Sequence, residues 1–249
     1  MTSTVDLELL MARGWQGTDS ERLGEWLLRA GSGFTGRANS VLPLGSPGCE
    51  LVDALGRVVA FYRRHDLPAM FQIPVCDETA AIDSHLSELG WTVFNSSVVL
   101  TATLQQAMTA APPAVDGLKA SFSDRPDDAW LAGYLYRGSV LPASAVHVLV
   151  NTENVIFASL HDVDGQVAVV RGVITDGWLG VTALTVSGTR RRAGIGSVLM
   201  SELLRWAAGQ GAHSVYLQVA ADNAAALALY GGLSFTEHHS YHYRRGPNR

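Results

Sequence analysis

Residues 155–187 read VIFASLHDVDGQVAVVRGVITDGWLGVTALTVS, and this stretch limits the fold more than any other. Runs rich in Val, Ile, Leu and Thr are cut at DVDGQ and again at TDGWLG. Asp beside Gly supplies the left-handed backbone that tight hairpin turns demand. Connections this short join antiparallel neighbours, because parallel pairing needs a long crossover. The pattern predicts an antiparallel meander.

The flanks fix the rest of the second half. Upstream, LKASFSD (118–124) reads as a strand. PDDAWLAGYLYRG (126–138) reads as a helix, with Pro126 and two acids in its first turn. PASAVHVLVN reads as another short helix. Downstream, Ile195, Val198, Leu199, Leu203 and Trp206 share one helical face, and that helix stops near GQGA. HSVYLQVA is a strand, NAAALALYGG a helix and FTEHHSYHYRR a last strand. The fold class is therefore α+β, a mixed and mostly antiparallel sheet flanked by helices.

The clearest seam is TAAPPAVDG (109–117), where small residues and a proline pair favour an extended linker. It divides the chain into domains 1–112 and 113–249. The first half repeats a helix, strand, helix, strand order, and LPAMFQIPV…LSELGWTVF parallels AHSVYLQVA…LYGGLSFTE. This predicts two tandem copies of one fold. Only the second copy carries SGTRRRAGIGSV; the first has PLGSPGCELVDA at the matching place.

Composition excludes several classes. Of 249 residues, 47% are hydrophobic and 16% charged, which is globular composition. Eighteen basic against 23 acidic residues leave a net charge of −5, unfavourable for a general nucleic-acid binder. Cys49 and Cys76 lack metal-ligand spacing and are expected to be buried or idle thiols in a reducing compartment. The start lacks a basic n-region and places Asp6 and Glu8 in its apolar stretch, unlike a signal peptide. No apolar run reaches membrane-spanning length. The expectation is a cytoplasmic protein with no membrane or nucleic-acid partner.

At RRRAGIGS (190–197), backbone N–H groups at a helix start and the positive end of the helix dipole would form an anion site. Glycines there permit positive φ and close approach of phosphate oxygens. A solvated basic turn is the plainer alternative. No G-K-[ST] follows, so this is not a Walker loop, and Leu199 stands where a dinucleotide fingerprint has its third glycine. In EHHSYHYRR, His238 and His239 point to opposite faces of a strand, and His242 is off the face of His239. No metal site is expected there. GFTGRANS (33–40), with Arg37 and Asn39, is either a hairpin or a loop serving an acceptor site.

Together, RRAGIG and NAAALALYGGLSF resemble the acetyl-CoA motifs of the GCN5-related N-acetyltransferases. The family turn, Gln/Arg-x-x-Gly-x-Gly/Ala, is matched by Arg191, Arg192, Ala193, Gly194, Ile195 and Gly196. The later signature is matched by Asn223, Ala226, Leu229, Tyr230 and Phe235, with Ser234 where the family prefers glycine. The resemblance covers about 118–245, and the two-half layout is similar to tandem acetyltransferases whose first copy has lost its cofactor turn.

The resemblance implies that Leu184, Thr185 and Val186 pair through backbone with the pantetheine arm. Arg191 through Ser197 would wrap the pyrophosphate of acetyl-CoA. Arg190 and Arg192 would either touch phosphate or lie solvated. Asn223 would anchor the cofactor arm, a role compatible with capping its helix. Tyr230 would be catalytic, protonating the departing thiolate. The implied function is direct transfer of acetyl from acetyl-CoA to an amine of a small molecule or peptide. Many relatives place a glutamate on the strand before the turn; here GVTALTV has no carboxylate. The base is open among Glu153, His147, His161 and Asp176, unless the amine arrives neutral. That gap leaves a non-catalytic acyl-CoA sensor or scaffold as the alternative. The acceptor, the acyl length and the oligomeric state are not legible.

Overall fold

The computed structural model describes residues 2–136 and 138–247. The chain forms two compact units. One comprises the chain up to Val98, Ala143–Asn151 and the chain from His239; the other comprises Val99–Pro142 and Thr152–His238.

In the second unit the predicted meander is β6 (Val155–Asp162), β7 (Gly165–Thr175) and β8 (Trp178–Val186), each antiparallel to the next. Strand β5 (Lys119–Ser123) closes one edge against β6. On the other side β8 pairs in parallel with β9 (Ser214–Ala220). Helix α7 (Ile195–Gly209) packs on β6, β7 and β8, burying Ile195, Val198, Leu199, Leu203 and Leu204. Trp206, expected on that face, is only half-buried and stacks on Phe122 of β5, centroids 6.4 Å apart. Helix α8 (Ala224–Gly232) follows β9.

One helix is shorter than its sequence predicts. Helix α5 spans Asp128–Gly133, and Tyr134 leaves it in an extended conformation. There the Tyr134 ring packs 5.6 Å from Trp130, and Gln166 Nε2 donates to Ala129 O at 2.7 Å, so a β7 side chain satisfies a helical carbonyl. Arg137, within the expected helix, lies outside the described residues. The next predicted helix, PASAVHVLVN, forms as α6 (Ala145–Val150).

The first unit contains the predicted order α2 (Leu51–Arg64), β3 (Met70–Pro74), α3 (Asp77–Glu88) and β4 (Thr92–Thr103), whose last residues lie beyond this unit. Strand β10 (Thr236–Arg245) pairs antiparallel with β3, from Tyr241 opposite Pro74 to Arg245 opposite Met70. The amphipathic face of α2 buries Ala54, Val58, Phe61 and Tyr62 in a core with Leu28, Phe71, Ile73, Leu86 and Trp91. Four elements, the last of them in the second unit, go beyond the sequence pattern. Helix α1 (Thr4–Gly14) is capped by the Ser3 side chain on Asp6 N, strands β1 (Asp19–Leu23) and β2 (Trp26–Ala30) form a hairpin, and α4 (Leu104–Ala110) precedes the proline pair. GFTGRANS is not a hairpin but a coil ending in a 3-10 turn at Arg37–Asn39. Cys49 is exposed and Cys76 partly buried, and both are free thiols.

Candidate functional site

The site is built where β8 stops behaving as an ordinary strand. The β8–β9 ladder runs from Trp178 opposite Ser214 to Val181 opposite Leu217 and goes no further among the described residues. Two residues on, Ala183 takes φ 61, and the β7–β8 register shifts between Val169 and Arg171. A bulge adds twist and turns a strand away from its neighbour. The chain Leu184–Thr185–Val186 therefore keeps its bonds to β7 but leaves its other backbone edge unpaired with β9.

The arginine–glycine turn follows at once. Arg192 and Gly194 both have left-handed φ, 62 and 75, while Arg191 between β8 and Arg192 is extended. Left-handed residues of this kind build the turns in which backbone N–H groups can face an anion. Gly194 occupies the cap position of α7 without a side-chain cap. By contrast α1, α4, α5 and α8 begin under Ser3, Thr103, Asp127 and Asn223. The first N–H groups of α7, at Ile195, Gly196 and Ser197, thus keep their donor capacity.

Gly196 is the meeting point. A Cβ there would lie 2.9 Å from Leu229 Cδ1, 3.6 Å from Val186 Cγ2 and 3.9 Å from Leu184 Cδ2. The β8 edge, the turn and α8 converge on one glycine. Asn223 Oδ1 accepts from Ala226 N at 3.1 Å, capping α8. Along α8 only Tyr230 is buried, against Phe235 with centroids 5.7 Å apart. Burial pushes its phenol well above the ordinary range. Ser234 takes φ 63, the conformation glycine adopts most easily, which accounts for the family preference it departs from.

The three arginines part company. Arg190 pairs with Asp162 at 2.6 Å and Asp164 at 2.8 Å across a cleft of about 350 Å³ lined also by Gln166, Ser187 and Thr189. DVDGQ thus supplies ion-pair partners as well as a hairpin turn, which hairpin patterning alone does not reveal. Arg191 is exposed with Nε 3.5 Å from Val186 O, and Arg192 is exposed at the turn. Among the candidate bases, Asp176 occupies the β7–β8 turn at the far end of β8 from Ala183. His161 Nε2 lies 3.2 Å from Ser121 Oγ. His239 and His242 are paired elsewhere, with Glu8 at 2.9 Å and Asp83 at 2.8 Å.

The first copy differs at its matching turn. Gly45 and Gly48 have φ 85 and 73, yet the Glu25 carboxylate already accepts from Ser46 N at 2.6 Å. Ser46 Oγ accepts from Gly48 N at 3.1 Å. This turn holds an anion of its own.

The fold and its comparisons with known proteins make this chain an acyltransferase of the GCN5-related N-acetyltransferase class. A family profile described as "Probable histone acetyltransferase Rv0428c C-terminal" matches residues 2–244, and the chain belongs to that family. It is 26% identical over 249 residues to YobR of Bacillus subtilis (strain 168), an "Uncharacterized N-acetyltransferase", covering 96% of each chain. Its fold is shared with a GCN5-related N-acetyltransferase from Kribbella flavida, at TM-score 0.74, 15% identity and coverage of 100% and 97%. It also resembles a tandem GNAT protein from the clavulanic acid biosynthesis pathway, at TM-score 0.62, 11% identity and coverage of 80% and 70%. No helix among the described residues is long and apolar enough to cross a membrane.

Proposed function

We propose that this enzyme transfers acetyl from acetyl-CoA directly to an amine of a small molecule or peptide in the cytoplasm. The observation that carries the reading is the convergence of Leu184, Val186 and Leu229 on Gly196, beside a turn with left-handed Arg192 and Gly194. Acetyl-CoA supplies an activated thioester. The N–H groups of the turn Arg191, Arg192, Ala193, Gly194, Ile195, Gly196 and Ser197 would hold its pyrophosphate, with the dipole of α7 behind them. The free backbone edge of Leu184, Thr185 and Val186 would receive the pantetheine amides as a strand receives a neighbour. Asn223 would fix the arm while capping α8. N–H groups at the splayed strand ends would polarise the thioester carbonyl.

Tyr230 is the catalytic acid in this reading. Its buried phenol keeps its proton at neutral pH, so the hydroxyl can protonate a departing thiolate. β8 offers no carboxylate to deprotonate the amine. An alkyl ammonium with pKa about 10 must therefore lose its proton to water or to a group off this strand.

The experiment is release of free CoA thiol with an amine panel: lysine peptides, including a histone tail because the family description names histones, and small primary amines. Turnover with any one amine, absent without it, supports transfer. No turnover above the amine-free rate across the panel, with acetyl-CoA shown to bind, would contradict it.

A further inference from the structure

A second polar cluster lies wholly within the first unit, centred on the loop that the sequence singled out. Ser32, Gly33 and Thr35 take φ 51, 78 and 62. Such backbone at non-glycine residues persists only where the surroundings over-determine it. Buried Asn39 does this: Oδ1 accepts from Gly31 N at 2.7 Å and Gly33 N at 2.9 Å, and Nδ2 donates to Phe34 O at 2.9 Å and Thr35 O at 2.8 Å. Trp15 Nε1 ties the loop to α1 through Thr35 Oγ1 at 2.9 Å.

This wiring aims Arg37. Its guanidinium sits 4.8 Å from the Trp15 ring centroid. Gly36, just before it, abuts the tip of Tyr243, where a Cβ would fall 2.6 Å from Cζ and 2.8 Å from the hydroxyl. Burial raises the Tyr243 phenol well above its ordinary range, and its hydroxyl is hydrogen-bonded with that of Tyr241.

The charges near Arg37 do not balance. Buried Arg29 donates to Ser40 O, Ser40 Oγ and Gln72 Oε1, each at 3.0 Å and each neutral. The Glu8 carboxylate is shared between Gln72 Nε2 and His239 Nε2, both at 2.9 Å. Burial lowers the affinity of Arg29 for its proton; the Glu8 carboxylate opposes this, while Arg37 adds to it. The fields of the two guanidiniums therefore overlap. Among the described residues no carboxylate forms an ion pair with Arg37, and the buried Glu8 carboxylate is engaged by Gln72 and His239.

We infer that the corner formed by Trp15, Arg37 and Tyr243 binds an oxyanion, a carboxylate or phosphate carried by a small molecule. A planar fork held over an indole meets such a group with two parallel N–H bonds and loses little freedom in doing so. The anion supplies the charge that the cluster lacks. Such a site does not depend on acetyl transfer.

The test follows the Trp15 indole N–H by NMR, its resonance assigned with Trp15→Phe. The titrants are benzoate, neutral benzamide and inorganic phosphate, each to about 20 mM, enough to saturate a site of about millimolar Kd. The expected result is a saturable shift with benzoate or phosphate, whichever moves it naming the preferred oxyanion. Benzamide should have no effect. Arg37→Gln should weaken the binding at least about tenfold, the loss of a charge-assisted pair, and Arg37→Lys should weaken it less. An unmoved resonance with both anions, an equal shift with benzamide, or binding unchanged in a folded Arg37→Gln would overturn the inference.

Discussion

At the scale of single residues, burial decides what the side chains can do. Tyr230 is held protonated by desolvation alone, so Tyr230→Phe removes a proton donor and little packing. We expect kcat to fall about 100-fold, the lower range for lost general acid catalysis, with KM for acetyl-CoA nearly unchanged. Steady-state kinetics with an accepted amine measures this, and an unchanged kcat removes Tyr230 from the chemistry. Asp83 shows the opposite balance. Burial works to raise its carboxyl, but hydrogen bonds from Arg244 at 2.6 Å and His242 at 2.8 Å outweigh it and hold the pKa down. A depressed carboxyl contributes stability in full above its unfolded pKa of about 3.9 and loses it as pH falls through the folded value. Asp83→Asn should therefore cost on the order of 1 kcal/mol near pH 7, screened because the pair is partly exposed. Urea titrations of the two proteins should converge below about pH 3.9; a gap constant with pH would contradict the linkage.

At the scale of elements, one residue sets the geometry of β8. Ala183 is left-handed inside a strand, where valine would ordinarily be favoured. Ala183→Val should instead destabilise by about 1–2 kcal/mol, because a β-branched residue at positive φ is strained, and should weaken acetyl-CoA binding by flattening the splay. Urea denaturation beside a binding titration checks both effects. The meander, α7, β9, α8 and β10 were legible because each is local: period-two or helical apolar spacing between Asp–Gly or glycine stops. The bulge was not, since nothing in GVTALTV marks Ala183 as the residue that turns. The β1–β2 hairpin escaped for a related reason, because Gly24–Glu25 is a weak turn signal between short strands. The glycine turn and the Asn223-to-Tyr230 spacing were legible as motifs, and their convergence on Gly196 required the fold. The pairing of Arg190 with Asp162 and Asp164 depends on residues more than twenty apart in the chain, beyond any local pattern.

At the scale of the whole molecule, helix, strand, helix and strand recur in both halves, but the two turns are chemically unequal. Around Gly45 and Gly48 the Glu25 carboxylate takes the backbone donor, whereas the turn at Gly194 is open and uncapped. Calorimetric titration should accordingly find one acetyl-CoA per chain, and two would show that the first copy also binds. The central claim, that the turn before α7 seats the cofactor, is tested most directly by thermal melts with and without acetyl-CoA. Gly194→Glu puts a carboxylate into the cradle, and Gly194→Ala controls for the left-handed backbone, which costs about 1 kcal/mol without glycine. At a hundredfold excess over Kd, binding adds about 2.7 kcal/mol, or roughly 5–10 °C for a chain of this size. The account predicts that shift in the unaltered protein, a shift retained at least in part in Gly194→Ala, and none in a folded Gly194→Glu. An equal shift in Gly194→Glu, or no shift in the unaltered protein, would contradict it.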